Sequence, residues 1–204
     1  MKFIKWKSLI ITCAVCLLPI LLGVAFWNEL PETIAIHFNI HNEPDGFASK
    51  VFAVFGLPAL MVILQAISCF IYDINAKKHG ERVKFERVTK WIIPIMSLIL
   101  QPVTLIYSLG WNMDIRRVAV LIVGTIFIVT GNYLPKLDYV KDYSLDTEKA
   151  RKINRFIGFG NVIMGLLFLF SIFFKPVVSV ICLFSLIPYT IITVIYSIRV
   201  VKKK

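Results

Sequence analysis

Apolar and polar positions alternate along this chain in long blocks, not with the short period of a half-buried helix or strand. Six windows, 8–27, 51–72, 91–110, 118–135, 156–174 and 177–198, each run for 18 to 22 residues without an Asp, Glu, Lys or Arg. About 20 residues of helix cross a hydrocarbon core of roughly 30 Å, and unpaired backbone there is too costly for anything but a helix or a closed barrel. The pattern predicts an all-α, polytopic integral membrane protein with six transmembrane helices.

One connection between windows stands apart, residues 28–50, NELPETIAIHFNIHNEPDGFASK. Over 33–40 the alternation places Ile34, Ile36, Phe38 and Ile40 on one face of an extended segment, with His37, Asn39, His41 and Glu43 on the other. The following NEPDG reads as a turn in which Pro44 fixes φ and Gly46 is free to take a positive one. The expected organisation is an N-terminal helical hairpin, 1–72, carrying this extracellular loop, then a basic cytosolic loop, 73–90, and a four-helix C-terminal membrane region, 91–204.

Charge sets the orientation. Lys2, Lys5 and Lys7 precede the first window, six Lys and Arg lie in 73–90, six in 136–155 and four in the tail. The opposite side keeps only Lys50, Arg116, Arg117 and Lys175. Cytosolic loops carry the excess of Lys and Arg, so both termini are expected inside. The first window is too long for a secretory signal core and lacks a small-residue cleavage pattern before Trp27, so it is expected to remain as the first helix.

Composition agrees: 58% of residues are hydrophobic, against about 45–50% in soluble domains. The formal net charge of +11 would otherwise raise nucleic acid as a partner, but its placement assigns it to topology and anionic lipid, with no direct nucleic-acid role.

Chemistry is sparse. Cys13, Cys16, Cys69 and Cys182 all fall inside predicted helices, so CxxC at 13–16 reads as packing and not as redox or zinc chemistry. Two histidines and a carboxylate in the outer loop lack a third ligand fixed by spacing, so no metal and no cofactor is assigned. No nucleophile elbow, zinc-protease motif, phosphate loop or intramembrane aspartate pair is present, which disfavours an enzyme.

Within the helices, Gln65 and Gln101 are expected to form interhelical hydrogen bonds, and Pro19, Pro58, Pro94, Pro102 and Pro188 to bend their helices. Gly124 and Gly131 in helix four, and Gly158, Asn161 and Gly165 in helix five, form small-residue stripes. These predict an antiparallel pair of helices four and five, with Asn132 and Asn161 bonding across it. Asp146 is a candidate N-cap for helix five, with Glu148 in its first turn. Lys149, Arg151, Lys152 and Arg155 follow as a basic face for lipid headgroups or for a docked protein.

The string LPETIAIHFNIHNEPDGFASK resembles the signature of the N-terminal domain of unknown function found in SdpI-type immunity proteins. The matching positions are Leu30, Pro31, His37, Phe38, Asn39, Pro44, Asp45, Gly46, Ser49 and Lys50. GNYLPK and NRFIG resemble that family's C-terminal signature through Gly131, Asn132, Tyr133, Leu134, Pro135, Lys136, Asn154, Arg155, Phe156 and Gly158. Between these motifs the chain carries LDYVKDYSLDTEKARKI where members often have a Gly-Ile-Arg-Thr-Pro-Trp stretch.

The resemblance implies immunity to a secreted membrane-active toxin peptide and, in some members, sensing in which a transcriptional repressor is held at the cytosolic face. His37, Asn39, Asp45 and Lys50 are the toxin-binding candidates. A small-molecule transporter using Gln65 or Gln101, and a signalling scaffold using Lys149, Arg151 and Lys152, are the competing classes.

Overall fold

The computed structural model describes residues 4–79, 83–137 and 147–202. Among these are six helical stretches long and apolar enough to cross a membrane: Trp6–Ala25, Phe52–Ala76, Phe85–Ser108, Ile115–Lys136, Glu148–Ser171 and Pro176–Lys202. Their outward side chains are large and apolar, with Phe159 70% and Leu21 68% exposed. Such surfaces are stable against lipid and not against water. The chain is a multi-pass, all-α membrane protein.

Proline and glycine subdivide the spans. The first is α1 (Trp6–Leu17) and α2 (Pro19–Ala25), and the second opens with a π-helical turn (Phe52–Gly56) before α3 (Leu57–His79). The third comprises α4 (Val83–Lys90) and α5 (Ile92–Ser108). The fourth is α6 (Ile115–Tyr133) with a 3₁₀ turn (Leu134–Lys136), the fifth is α7 (Thr147–Ser171), and the sixth divides into α8 (Pro176–Phe184) and α9 (Leu186–Lys202). The described parts of the 73–90 connection are thus helical, because α3 continues past the end of the apolar window and α4 starts before the next. The N-cap candidate Asp146 lies outside the described residues.

Two compact units form. One holds Met1–Lys78 with Glu86–Ala119, and the other holds His79–Phe85 with Val120–Lys204. The third span from Glu86 onward therefore belongs to the same unit as the first two. The core of the first unit is Leu30, Ile34, Ala53, Val54 and Leu105.

Buried polar side chains repair the backbone where helices are interrupted. In the π turn the Leu57 N–H bonds the Phe52 carbonyl, and Pro58 has no N–H to offer the next carbonyl, that of Ala53. Gln101 Nε2 on α5 donates to it instead. Pro94 likewise cannot serve the Lys90 carbonyl four residues earlier, and Gln65 Nε2 on α3 donates to that oxygen at 2.9 Å. At the α1–α2 break Leu18 N–H takes the Val15 carbonyl that Pro19 cannot, and Ser97 Oγ donates to the Cys16 carbonyl at 3.0 Å. In hydrocarbon each carbonyl so freed must find a donor within the protein.

In the second unit the glycine faces of α6 and α7 meet. A Cβ at Gly131 would lie 2.6 Å from the Gly158 carbonyl oxygen, and one at Gly165 would lie 2.6 Å from that of Gly124. Pairing 131 with 158 and 124 with 165 is a register that only antiparallel helices produce. The expected bond between the two asparagines is not formed. Asn132 is exposed and accepts from Lys136 Nζ at 2.9 Å one turn along its own helix, while Asn161 Oδ1 accepts from Tyr189 Oη at 2.6 Å.

Candidate functional site

The outer loop is a β-hairpin. Strand β1 (Thr33–Phe38) pairs antiparallel with β2 (Pro44–Ser49), Thr33 opposite Ser49 and His37 opposite Gly46, with irregular register around His37. This corrects two expectations. Residues 44–46 lie in the second strand and not in the turn, and the left-handed residue is Asn42 at φ 63°, not Gly46. Glycine is required at 46 for another reason: a Cβ there would approach His37 Cβ to 2.8 Å.

Asn39 builds the turn. Its side-chain oxygen accepts from the His41 and Glu43 N–H groups at 2.9 and 3.0 Å, and its Nδ2 donates to Glu43 Oε2 at 3.0 Å. His41 and Glu43 therefore sit on the loop and do not extend a ladder along the strand. Among the described residues no group of three His, Cys, Asp or Glu converges as a metal site.

The hairpin is fastened at three points. Asn42 Oδ1 accepts the Ile115 N–H at 2.8 Å while its Nδ2 donates to the Met113 carbonyl at 2.8 Å, tying the turn to the start of α6. Phe38 meets Tyr107 edge to face with centroids 4.8 Å apart. Buried Ile34 enters the core beside Leu105. A free two-stranded hairpin is marginal in water, so these anchors are what hold its outer face in one geometry.

On that face His37 Nδ1 lies 2.5 Å from Asp45 Oδ1, with both side chains exposed. Lys50 is separated from them. Only 6% exposed, it donates to the Trp27 carbonyl at 3.2 Å, pairs with Glu32 at 3.0 Å and stands 5.2 Å from the Trp27 ring centroid. The sequence groups four candidates, whereas the structure presents His37 and Asp45 outward, uses Asn39 within the turn and places Lys50 beneath the hairpin as a support.

Residues 14–62, which run from α1 through the hairpin into α3, match the family described as a domain of unknown function, DUF1648. The chain is also 29% identical over 126 residues to the immunity protein SdpI of Bacillus subtilis (strain 168). The resemblance to the SdpI-type family holds. That alignment covers 62% of this chain and 59% of the relative's length. No solved structure matches. The chain is a multi-pass protein of the cell membrane, and its DUF1648 segment contains every hairpin residue described above.

A second polar cluster, beyond the DUF1648 segment, escaped the sequence reading. Asp73 on α3 and Lys90 at the end of α4 form a buried ion pair at 2.5 Å, their side chains 0% and 3% exposed. Asp73 Oδ2 also accepts the Lys5 N–H at 3.0 Å, and Lys5 Nζ reaches Glu86 at 3.3 Å. Both members of the pair stand just outside charge-free windows, at 72 and 91, so a scan for charges inside the windows passes over them. A buried ionisable pair at the edge of the apolar windows is costly to hold and is a functional candidate.

Proposed function

We propose that this protein protects its cell against a secreted, membrane-active toxin peptide, with the outward face of the hairpin as the contact surface. The observation that carries the reading is the likeness to an immunity protein, joined to a DUF1648 hairpin anchored at Asn42, Phe38 and Ile34 so that His37 and Asp45 face outward. The role is non-enzymatic: the protein engages the peptide at the outer surface before it damages the bilayer. Lys50 and Asn39 hold the hairpin in shape.

The finer reading adds sensing. The start of α7 exposes Arg151, Lys152 and Arg155, a basic surface at which a repressor is retained when toxin is bound. A transporter built on Gln65 and Gln101 has less support, because both glutamines direct amide N–H groups to backbone carbonyls.

The test is survival and membrane potential of toxin-sensitive cells expressing the chain, challenged with SdpI-family toxin peptide or with medium from the source strain. Protection by the wild type, lost in well-inserted His37→Ala and Asp45→Ala variants, is the expected result. Correct insertion without any protection would overturn the reading. Protection that survives both substitutions would keep immunity but move the contact off the hairpin.

A further inference from the structure

Among the described residues, the buried cluster of the first unit contains one side-chain polar atom without a partner. Gln65 is 0% exposed, and its Nε2 bonds the Lys90 carbonyl at 2.9 Å and faces Cys69 Sγ at 3.2 Å. Among the described residues its Oε1 has no hydrogen-bond partner. Reversing the amide does not help, since it would turn an oxygen toward the Lys90 carbonyl, which needs a donor.

The neighbouring ammonium carries the complementary surplus. Lys90 Nζ has three N–H donors and, among the described residues, makes one hydrogen bond, to Asp73 Oδ1. Cys69, 1% exposed, and Thr12, also 1% exposed, complete the surroundings, with Thr12 Oγ1 lying 3.8 Å from Cys69 Sγ. An unsatisfied acceptor and unsatisfied charged donors therefore lie within one buried polar cluster on three helices.

We propose that this cluster is a hydration site, in which internal water accepts from the Lys90 ammonium and donates to Gln65 Oε1. Water is the ligand that supplies a donor and an acceptor together in a buried polar space, and such waters typically make about three hydrogen bonds. Hydration also reduces the cost of holding Asp73 and Lys90 buried, since the ammonium no longer depends on a single carboxylate oxygen. The site ties α1, α3 and the α4–α5 break to one another through water as well as through the direct ion pair.

The experiment is radiolytic hydroxyl-radical footprinting of the full chain in lipid nanodiscs, read by mass spectrometry at the cysteines, with and without a bulk radical scavenger. Radicals born from bound water label adjacent sulfur even where bulk solvent does not reach. Cys16, 0% exposed, is the dry control, and Trp111, 69% exposed, is the bulk control. The expected result is oxidation of Cys69 several-fold faster than Cys16, persisting under scavenger that suppresses labelling at Trp111. Equal, slow labelling of Cys69 and Cys16 would overturn the proposal, as would loss of Cys69 labelling in step with Trp111. Gln65→Met removes the orphaned acceptor and is expected to bring Cys69 down to the Cys16 rate; unchanged fast labelling in the folded variant would remove Gln65 from the site. Where that variant does not fold, the wild-type comparison decides alone.

Discussion

Asn42 on the hairpin turn closes the beginning of the fourth span at Ile115: the side chain accepts the Ile115 N–H and donates to the Met113 carbonyl, each at 2.8 Å. It is thus both the left-handed residue of the turn and, beside Asp114, which accepts the Arg117 N–H, a second cap on a helix more than seventy positions away.

These two duties are separable. Asn42→Ala is expected to lower stability by about 1–2 kcal/mol through loss of the cap and strain at positive φ. Asn42→Gly keeps the backbone conformation and should lose only the cap. Thermal midpoints in detergent check this, and equal losses would put the entire effect in the cap.

Gln101 replaces a donor that Pro58 cannot provide. Gln101→Leu leaves the Ala53 carbonyl unpaired in the core, at a cost of about 1–3 kcal/mol. Adding Pro58→Ala supplies a backbone N–H within reach, so the double variant should lose less than the sum of the singles. Strict additivity in an SDS-unfolding titration would show that the two residues do not share that carbonyl.

The Asp73–Lys90 pair should behave as a buried ion pair. Asp73→Asn or Lys90→Met alone leaves one charge uncompensated and is expected to cost about 3–5 kcal/mol, while the double variant should be more stable than either single. Measured coupling near zero would mean that the pair is not formed in the membrane.

The α6–α7 seam depends on bare backbone. Gly131→Leu or Gly165→Leu forces a side chain against a facing carbonyl and should destabilise by about 1–3 kcal/mol. Gly131→Ala, smaller, should fall below Gly131→Leu. Unchanged melting in both would require the helices to meet elsewhere.

What was legible in the sequence and what was not divides along physical lines. Six charge-free windows specified six spans because hydrocarbon admits few alternatives, and Gly124, Gly131, Gly158 and Gly165 marked a seam because only glycine permits so close an approach. The extended character of 33–38 was written in its alternation. Its pairing with 44–49 was not, since Pro44 and Gly46 carry turn chemistry and only the cross-strand contact with His37 shows why glycine stands there. Lys50 reads as an exposed polar residue until Trp27 and Glu32 enclose it. The roles of Gln65 and Gln101 are decided by prolines in the chain that alter which carbonyls need donors, and Asp73 and Lys90 become a pair only when α3 and α4 bring positions 17 apart to one buried point. Periodicity and charge report how each segment meets lipid or water; which polar groups satisfy one another is a property of three-dimensional neighbours, and tertiary packing alone determined it.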